Sequence, residues 1–196
     1  MRLGDICHTE SGLILSRKRS RNDFETKHEY KVLSLNNIED HGDFNEEELE
    51  TFTSKEVLDK RYFTEEGDVL IRLSDPFTAV CIQSHQAGVL IPSYFIVLEI
   101  TKNDYLPEYV SWYLNSSVVK RKYRREQTGS TIPNINQRII QNLHIPNIPL
   151  EKQSHITKIH QLYLQERRLH KKLIKEKDRF HEAFSNKIIT EQMEGY

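Results

Sequence analysis

Two patterns of apolar positions follow one another along this 196-residue chain. The first, up to about residue 148, consists of short apolar runs separated by turn residues. Leu3 to Leu15 reads as a turn-rich segment punctuated by Gly4 and Gly12. Tyr30 to Leu35 is strand-like, and the acidic stretch Glu46–Glu50 reads as a solvated loop or a short helix. Gly67-Asp68 introduces Val69-Leu70-Ile71-Arg72-Leu73, and Ala79–Ile82, Gly88–Ile91 and Tyr94–Ile100 follow as further strands rich in Val, Ile, Tyr and Phe. After Pro107 the spacing of Tyr109, Val110, Tyr113 and Leu114 becomes helical and continues, with room for a break, to Arg125. A polar loop, Gln127 to Asn134, comes next. Asn136 to Leu143 can form two helical turns, and the prolines of Ile145-Pro146-Asn147-Ile148-Pro149 hold that segment extended.

The second pattern is a single helical stripe. Over residues 150–191 the apolar positions Ile156, Ile159, Leu162, Leu169, Leu173, Phe180, Phe184 and Ile188 recur at steps of three, four and seven, interrupted by Glu166 and Glu176. No Gly or Pro lies between Pro149 and Gly195. Such a helix is about 60 Å long at 1.5 Å per residue, and no second helix of that length exists here to cover its stripe. The expected fold is α+β: a mixed or antiparallel β-rich domain with short helices over 1–148, then one long coiled-coil helix over 149–196 for dimerisation and spacing.

Composition refines this picture. The chain is 37% hydrophobic and 29% charged, with no run near the roughly 18 apolar residues of a membrane span. The first residues, Met1 to Asp5, contain no apolar h-region, so no secretory signal is expected. Cys7 and Cys81 are too few for a disulfide framework and read as reduced thiols of a cytoplasmic protein. The net charge of −1 hides segregation. Residues 39–68 hold twelve Asp or Glu against three Lys or Arg, whereas Arg17, Lys18, Arg19 and Arg21 form one basic cluster and Lys120, Arg121, Lys122, Arg124 and Arg125 another. Such a chain can offer a basic face to nucleic acid and an acidic one to solvent.

Catalytic signatures are missing: no G-x-G-x-x-G, Walker loop, H-E-x-x-H, C-x-x-C or G-x-S-x-G occurs. His155, His160, His170 and His181 are five, ten and eleven residues apart and do not share the i, i+4 face of a helical metal site; they read as solvated. Ser74-Asp75-Pro76-Phe77 slightly resembles the Asp/Asn-Pro-Pro-aromatic motif of amino-methyltransferases, but it lacks the second proline and a glycine-rich cofactor loop, so it reads as a turn. The first basic cluster is either a solvated loop or one whose mutual repulsion is relieved by phosphates. The second is either a phosphate contact or the wet side of a helix that buries Trp112, Tyr113 and Val119. The Gln127–Asn136 loop carries side chains able to address base edges or phosphates, and Gly129 permits close approach.

The chain resembles the specificity subunits of type I restriction–modification systems. The residues that carry the likeness are Leu3-Gly4-Asp5-Ile6 with Ser11-Gly12, then Gly67-Asp68-Val69-Leu70-Ile71. The most specific block is Gly129-Ser130-Thr131, Ile139-Ile140-Gln141-Asn142-Leu143-His144-Ile145-Pro146 and Pro149-Leu150-Glu151-Lys152-Gln153, leading into the long helix. The resemblance implies a non-catalytic subunit with no cofactor, S-adenosylmethionine being held by the modification subunit. In that family two target-recognition domains each read half of a bipartite site, and two antiparallel helices set the spacer and dock methyltransferase subunits.

This chain carries one recognition domain and one helix, about half the family length, which implies a homodimer reading a symmetric site. The expected partners are double-stranded DNA, a second copy, the modification subunits, and the restriction (motor nuclease) subunit as an optional member, with no membrane. Candidate DNA contacts are Arg17, Lys18, Arg19, Arg21, Lys120, Arg121, Arg124, Gln127, Thr128, Ser130, Thr131, Asn134 and Arg138. Candidate dimer contacts are Ile159, Leu162, Leu169, Leu173, Phe180 and Phe184. Two other classes stay open: an interaction protein that takes the specificity position without reading DNA, such as a restriction inhibitor or a half-subunit joining a longer chain, and a nucleic-acid enzyme of unrecognised chemistry.

Overall fold

A computed structural model describes residues 1–20, 28–47, 49–126 and 135–193, with the side chains of 191–193 left aside. Its strands are β1 (Cys7–Ser11), β2 (His28–Val32), β3 (Glu50–Ser54), β4 (Val69–Arg72), β5 (Ala79–Cys81) and β6 (Phe95–Ile100). Its helices are α1 (Pro107–Leu114), α2 (Ser117–Glu126), α3 (Gln137–Gln141) and α4 (Leu150–Met193). The named strands pair antiparallel, in a four-stranded sheet of order β1-β6-β4-β5 and a hairpin of β2 with β3. The fold is α+β, as the two hydropathy patterns imply.

Strand β4 explains where the core sits. Its residues Val69, Leu70 and Ile71 are fully buried, because alternate side chains of a strand point to opposite faces. Val69 and Ile71 join Ile96, Leu98, Tyr109, Val110, Leu114, Tyr123 and Ile140 on the face covered by α1, α2 and α3. Leu70 joins Leu33, Ile38, Phe44, Val80, Ile91 and Phe95 on the other. A third cluster, with Leu13, Val32, Phe52, Leu58 and Leu90, lies under the β2–β3 hairpin.

Three expectations need correction. Cys7–Ser11 is a strand rather than a turn-rich segment: only Cys7 and Thr9 face inward, so its alternation is too polar to register. Glu50 begins strand β3 rather than ending a loop or helix, because Phe52 anchors the hairpin face of an otherwise polar run. Gly88–Ile91 is not a strand. Leu90 makes isolated bridges to Val32 and Phe63, and no ladder continues because Gly88 turns with φ 86 and Pro92 has no N–H to donate.

The segment before α4 is fastened on several sides. Leu3 N–H donates to the Leu143 carbonyl at 2.7 Å, and Ile145 N–H to Met1 at 3.0 Å. Tyr113 and Tyr109 donate their hydroxyls to the carbonyls of His144 (2.8 Å) and Pro146 (3.1 Å). Gln153, fully buried in the first turn of α4, then accepts from Leu106 N–H at 2.9 Å and donates to the Asp104 and Ile148 carbonyls, both at 2.8 Å. The chain forms two compact units, Met1–Thr157 and Lys158–Tyr196, so the first two turns of α4 belong to the folded domain. In the second unit the helix is solvent-exposed, with Phe180 and Phe184 stacked at 6.3 Å and Arg179 paired with Glu176 at 2.8 Å.

Replacing Gln153 with Leu strips three part-buried backbone groups of their partner. The expected cost is about 2–4 kcal/mol of domain stability, read as a lower urea midpoint with an unchanged slope.

Candidate nucleic-acid interface

The basic residues singled out by sequence fall on different elements of the folded domain. Arg17, Lys18 and Arg19 sit at and just after a 3-10 turn (Leu15–Arg17) that is laced to β3. Ser20 N–H donates to the Thr53 carbonyl at 3.0 Å, and Lys55 N–H to that of Lys18 at 3.1 Å. The tether fixes where the cations point. Lys18 forms a close ion pair with Glu56, whose carboxyl is held below the ordinary carboxylate range by that hydrogen bond and charge. The Arg19 guanidinium stacks over the Phe52 ring at 5.4 Å. Arg17 is exposed and has no ion-pair partner among the described residues, so it is the cation of this group best placed to meet a phosphate.

Helix α2 presents the second group. Its buried side, Val119 and Tyr123, packs into the core, with Tyr123 edge-on to Phe77 at 5.6 Å. The polar side carries Lys120, Arg121 and Arg124. Lys120 donates to the Asp40 carbonyl at 3.3 Å, and partial burial lowers the pKa of its ammonium, opposed by the nearby Asp40 charge. Arg124 pairs with Asp75 at 3.5 Å, whereas Arg121 is exposed and contacts Ser117 only weakly, at 3.5 Å. Ser74–Phe77 is a turn, closed by Phe77 N–H on the Ser74 carbonyl at 2.8 Å.

Arg138 lies exposed on α3, which Asn136 caps by accepting from Ile139 N–H at 3.0 Å. Gln141 and Gln137 tie that helix to Thr9 of β1. Arg21, Gln127, Thr128, Ser130, Thr131 and Asn134 lie outside the described residues.

Sequence reasoning missed the acidic partners. Asp75 and Glu56 are distant in sequence from the cations they hold, and only the fold brings them together. It also missed a cleft of about 190 Å³ lined by His8, Glu10, Arg61, Phe63, Glu65, Asp68, Val97 and Glu99. Four carboxylates make this a poor seat for phosphate. Burial pushes the Asp68 carboxyl up to about 6, against the hydrogen bond from Glu65 N–H that favours its charge. No group of three metal-ligating side chains occurs among the described residues.

The apolar stripe of α4 is uncovered. Ile159, Leu162, Leu169, Leu173, Phe180 and Phe184 are all at least half exposed, Ile159 at 69% and Phe180 at 73%. Ile174 and Ile189, passed over in the sequence pattern, widen it. Among the described residues no helix is long and apolar enough to cross a membrane.

A β-rich domain followed by one long, apolar-striped helix is the architecture of a restriction–modification specificity module. The family model for the type I restriction modification DNA specificity domain matches residues 1–177, and the chain belongs to that family. Among solved structures it is similar to the HsdS subunit from Thermoanaerobacter tengcongensis (18% identity, TM-score 0.62, 86% of this chain and 43% of that one). It is also similar to the type I system S subunit from M. genitalium (19% identity, TM-score 0.52, 88% and 40%). A third similar chain comes from a structure concerned with complex assembly and conformational transition of the type I R-M system (18% identity, TM-score 0.53, 85% and 38%). The chain thus spans about two fifths of the length of these structures. No curated protein matches it.

Asp68 yields a pH prediction. Folded, it keeps its proton up to about pH 6; unfolded, it releases it near 3.8. The folded state therefore binds more protons between these values, and stability from this group falls as pH rises through that window. Asp68→Asn keeps the acceptor for Glu65 N–H. It is expected to be about 2 kcal/mol more stable than the parent at pH 7, with the difference shrinking toward zero near pH 4 in denaturant titrations.

Proposed function

We propose that this chain is a sequence-specific DNA-binding specificity subunit of a type I restriction–modification system, acting as a homodimer. Residues 1–148 form the target-recognition domain and 149–196 the dimerisation and spacer helix. Two copies pair their α4 helices antiparallel, burying Ile159, Leu162, Leu169, Leu173, Phe180 and Phe184 against their counterparts. The two domains then read a symmetric bipartite site whose gap is set by the paired helices. Methyltransferase subunits dock on this frame, with the restriction subunit as an optional addition, and supply S-adenosylmethionine and the chemistry. The specificity chain itself is non-catalytic and works in the cytoplasm.

The observation that carries this reading is the uncovered apolar stripe of α4 in a member of this family. Each Leu or Phe taken out of water contributes about 1.5–3 kcal/mol before ordering costs, so a handful from each copy can sustain a stable dimer. Exposed Arg17, Arg121 and Arg138, with no ion-pair partner among the described residues, supply cations for phosphates, with Gln127, Thr128, Ser130, Thr131 and Asn134 as further candidate contacts. Lys18, Arg19, Arg21, Lys120 and Arg124 complete the set.

One observation favours a second reading. Lys18 and Arg124 are already matched by acidic side chains, as expected of an interaction protein that occupies the specificity position without reading DNA.

Sedimentation and duplex titration separate the two. The full chain is expected to sediment as a dimer at micromolar concentration, and Leu169→Glu with Leu173→Glu to give a monomer whose domain unfolds as before. A monomeric parent, unchanged by added duplex or modification subunit, defeats the homodimer. On duplex DNA the parent is expected to lose affinity steeply with salt. Arg17→Ala should reduce the slope of log K against log salt by about 0.9 per copy. Flat salt dependence selects the non-reading alternative.

A further inference from the structure

The β4–β5 turn lies beside the basic residues of α2 and has no DNA-reading role in the function above. Phe77 is buried in a left-handed backbone conformation (φ 53), which non-glycine residues rarely adopt and which persists only where surrounding structure enforces it. Phe77 packs edge-on against the Tyr123 ring of α2, at 5.6 Å. The turn and the helix are therefore registered to each other, and the residues flanking that contact, Asp75 and Arg124, meet in solvent. Arg124 Nε lies 3.5 Å from Asp75 Oδ1, with the side chains 58% and 54% exposed. One turn earlier on the same helix, Lys120 reaches Asp40. Arg124 is thus matched by a carboxylate, whereas Arg121 on the same polar side is exposed with only a weak contact to Ser117.

A phosphate gains little from a guanidinium already matched by a carboxylate, because the carboxylate beside it repels the phosphate. A base-pair edge is different. Its major-groove side shows donors next to acceptors: guanine O6 and N7 accept, and cytosine N4 donates. An exposed arginine paired with an exposed carboxylate is complementary to that arrangement. Resting on the DNA-reading function proposed above, we propose that Arg124 and Asp75 form a donor–acceptor couple that reads a G·C base-pair edge. Asp75 is the specificity-determining member, since it holds Arg124 off the phosphate backbone. It lowers attachment to arbitrary DNA while supplying the acceptor that cytosine N4 requires.

The test compares the full-length parent, Asp75→Asn, Arg124→Gln and the double variant on a random-sequence duplex across a salt series, with thermal unfolding run in parallel. Asp75→Asn is expected to bind random duplex about three- to tenfold tighter and to steepen the log K against log salt slope by about 0.9 per copy, because one cation is freed. Adding Arg124→Gln removes both gains. Selection from a randomised duplex pool is expected to show Asp75→Asn losing preference at one G·C position per half-site. Unchanged or weaker random-duplex binding by Asp75→Asn overturns the proposal, as does a gain that survives Arg124→Gln or a selected site identical to the parent's. A parent that binds duplex with no salt dependence overturns the DNA-reading function itself, whatever the variants do.

Discussion

The structure depends on a single buried amide. Helix α4 must leave the domain directly after a segment with two prolines, where the backbone cannot supply its own hydrogen bonds. Gln153 resolves this by bridging three backbone groups from two places: the N-terminal end of α1 at Asp104 and Leu106, and the extended segment at Ile148. A hydrophobic residue there would fill the volume and leave three part-buried polar groups without this partner. Ser or Asn would be too short to span them. The amide of a Gln in the first helical turn has both the reach and the mixed donor–acceptor character, so the start of the helix is fixed by chemistry rather than by helix propensity.

The same logic of close approach governs the other end of the domain. Gly12 N–H donates to the Phe95 carbonyl while its α-carbon passes so near the 91–92 backbone that a Cβ would lie 2.2 Å from the Pro92 oxygen. Only glycine allows this crossing, which brings Leu13 onto Ile91 and closes the cluster beneath the hairpin. Gly4 plays a milder part: a Cβ there would come within 3.1 Å of the Gln141 side chain, where α3 lies against the first residues of the chain. The Leu3-Gly4-Asp5-Ile6 and Ile139-to-Pro146 blocks, over 130 residues apart, are thus two sides of one contact.

This explains what was legible in the sequence. Strands β4 and β6, the helices after Pro107 and the whole of α4 announce themselves because burial on both faces, or a long stripe, leaves a strong periodic signal. Strands β1 and β3 do not, since each buries only two inward side chains: Cys7 and Thr9 in one, Phe52 and Ser54 in the other. For the candidate interface, the exposure of Arg17, Arg121 and Arg138 follows the basic pattern. The pairing of Lys18 with Glu56 and of Arg124 with Asp75 could not be read, because charge along a sequence carries no information about which loops the fold brings together. The partners are 38 and 49 residues away.

The division of labour between residues follows from these contacts. Several described positions of the motifs that carry the family likeness are structural: Gly12 crosses a strand end, Asp68 caps a turn, Gln141 and Gln153 bond to Thr9 or to backbone, and Ile145 pairs with the first residue. Arg17, Arg19, Arg121, Arg124 and Arg138, by contrast, are exposed on elements whose packing other residues decide: Tyr123 and Val119 seat α2, Asn136 caps α3, and Ser20 with Lys55 anchors the first basic loop. Exchanging an exposed Arg at such a position changes stability by only about half a kcal/mol, whereas a change at Gln153 or Gly12 disturbs buried hydrogen bonds or backbone contact. A domain built this way can alter what it touches without altering how it folds.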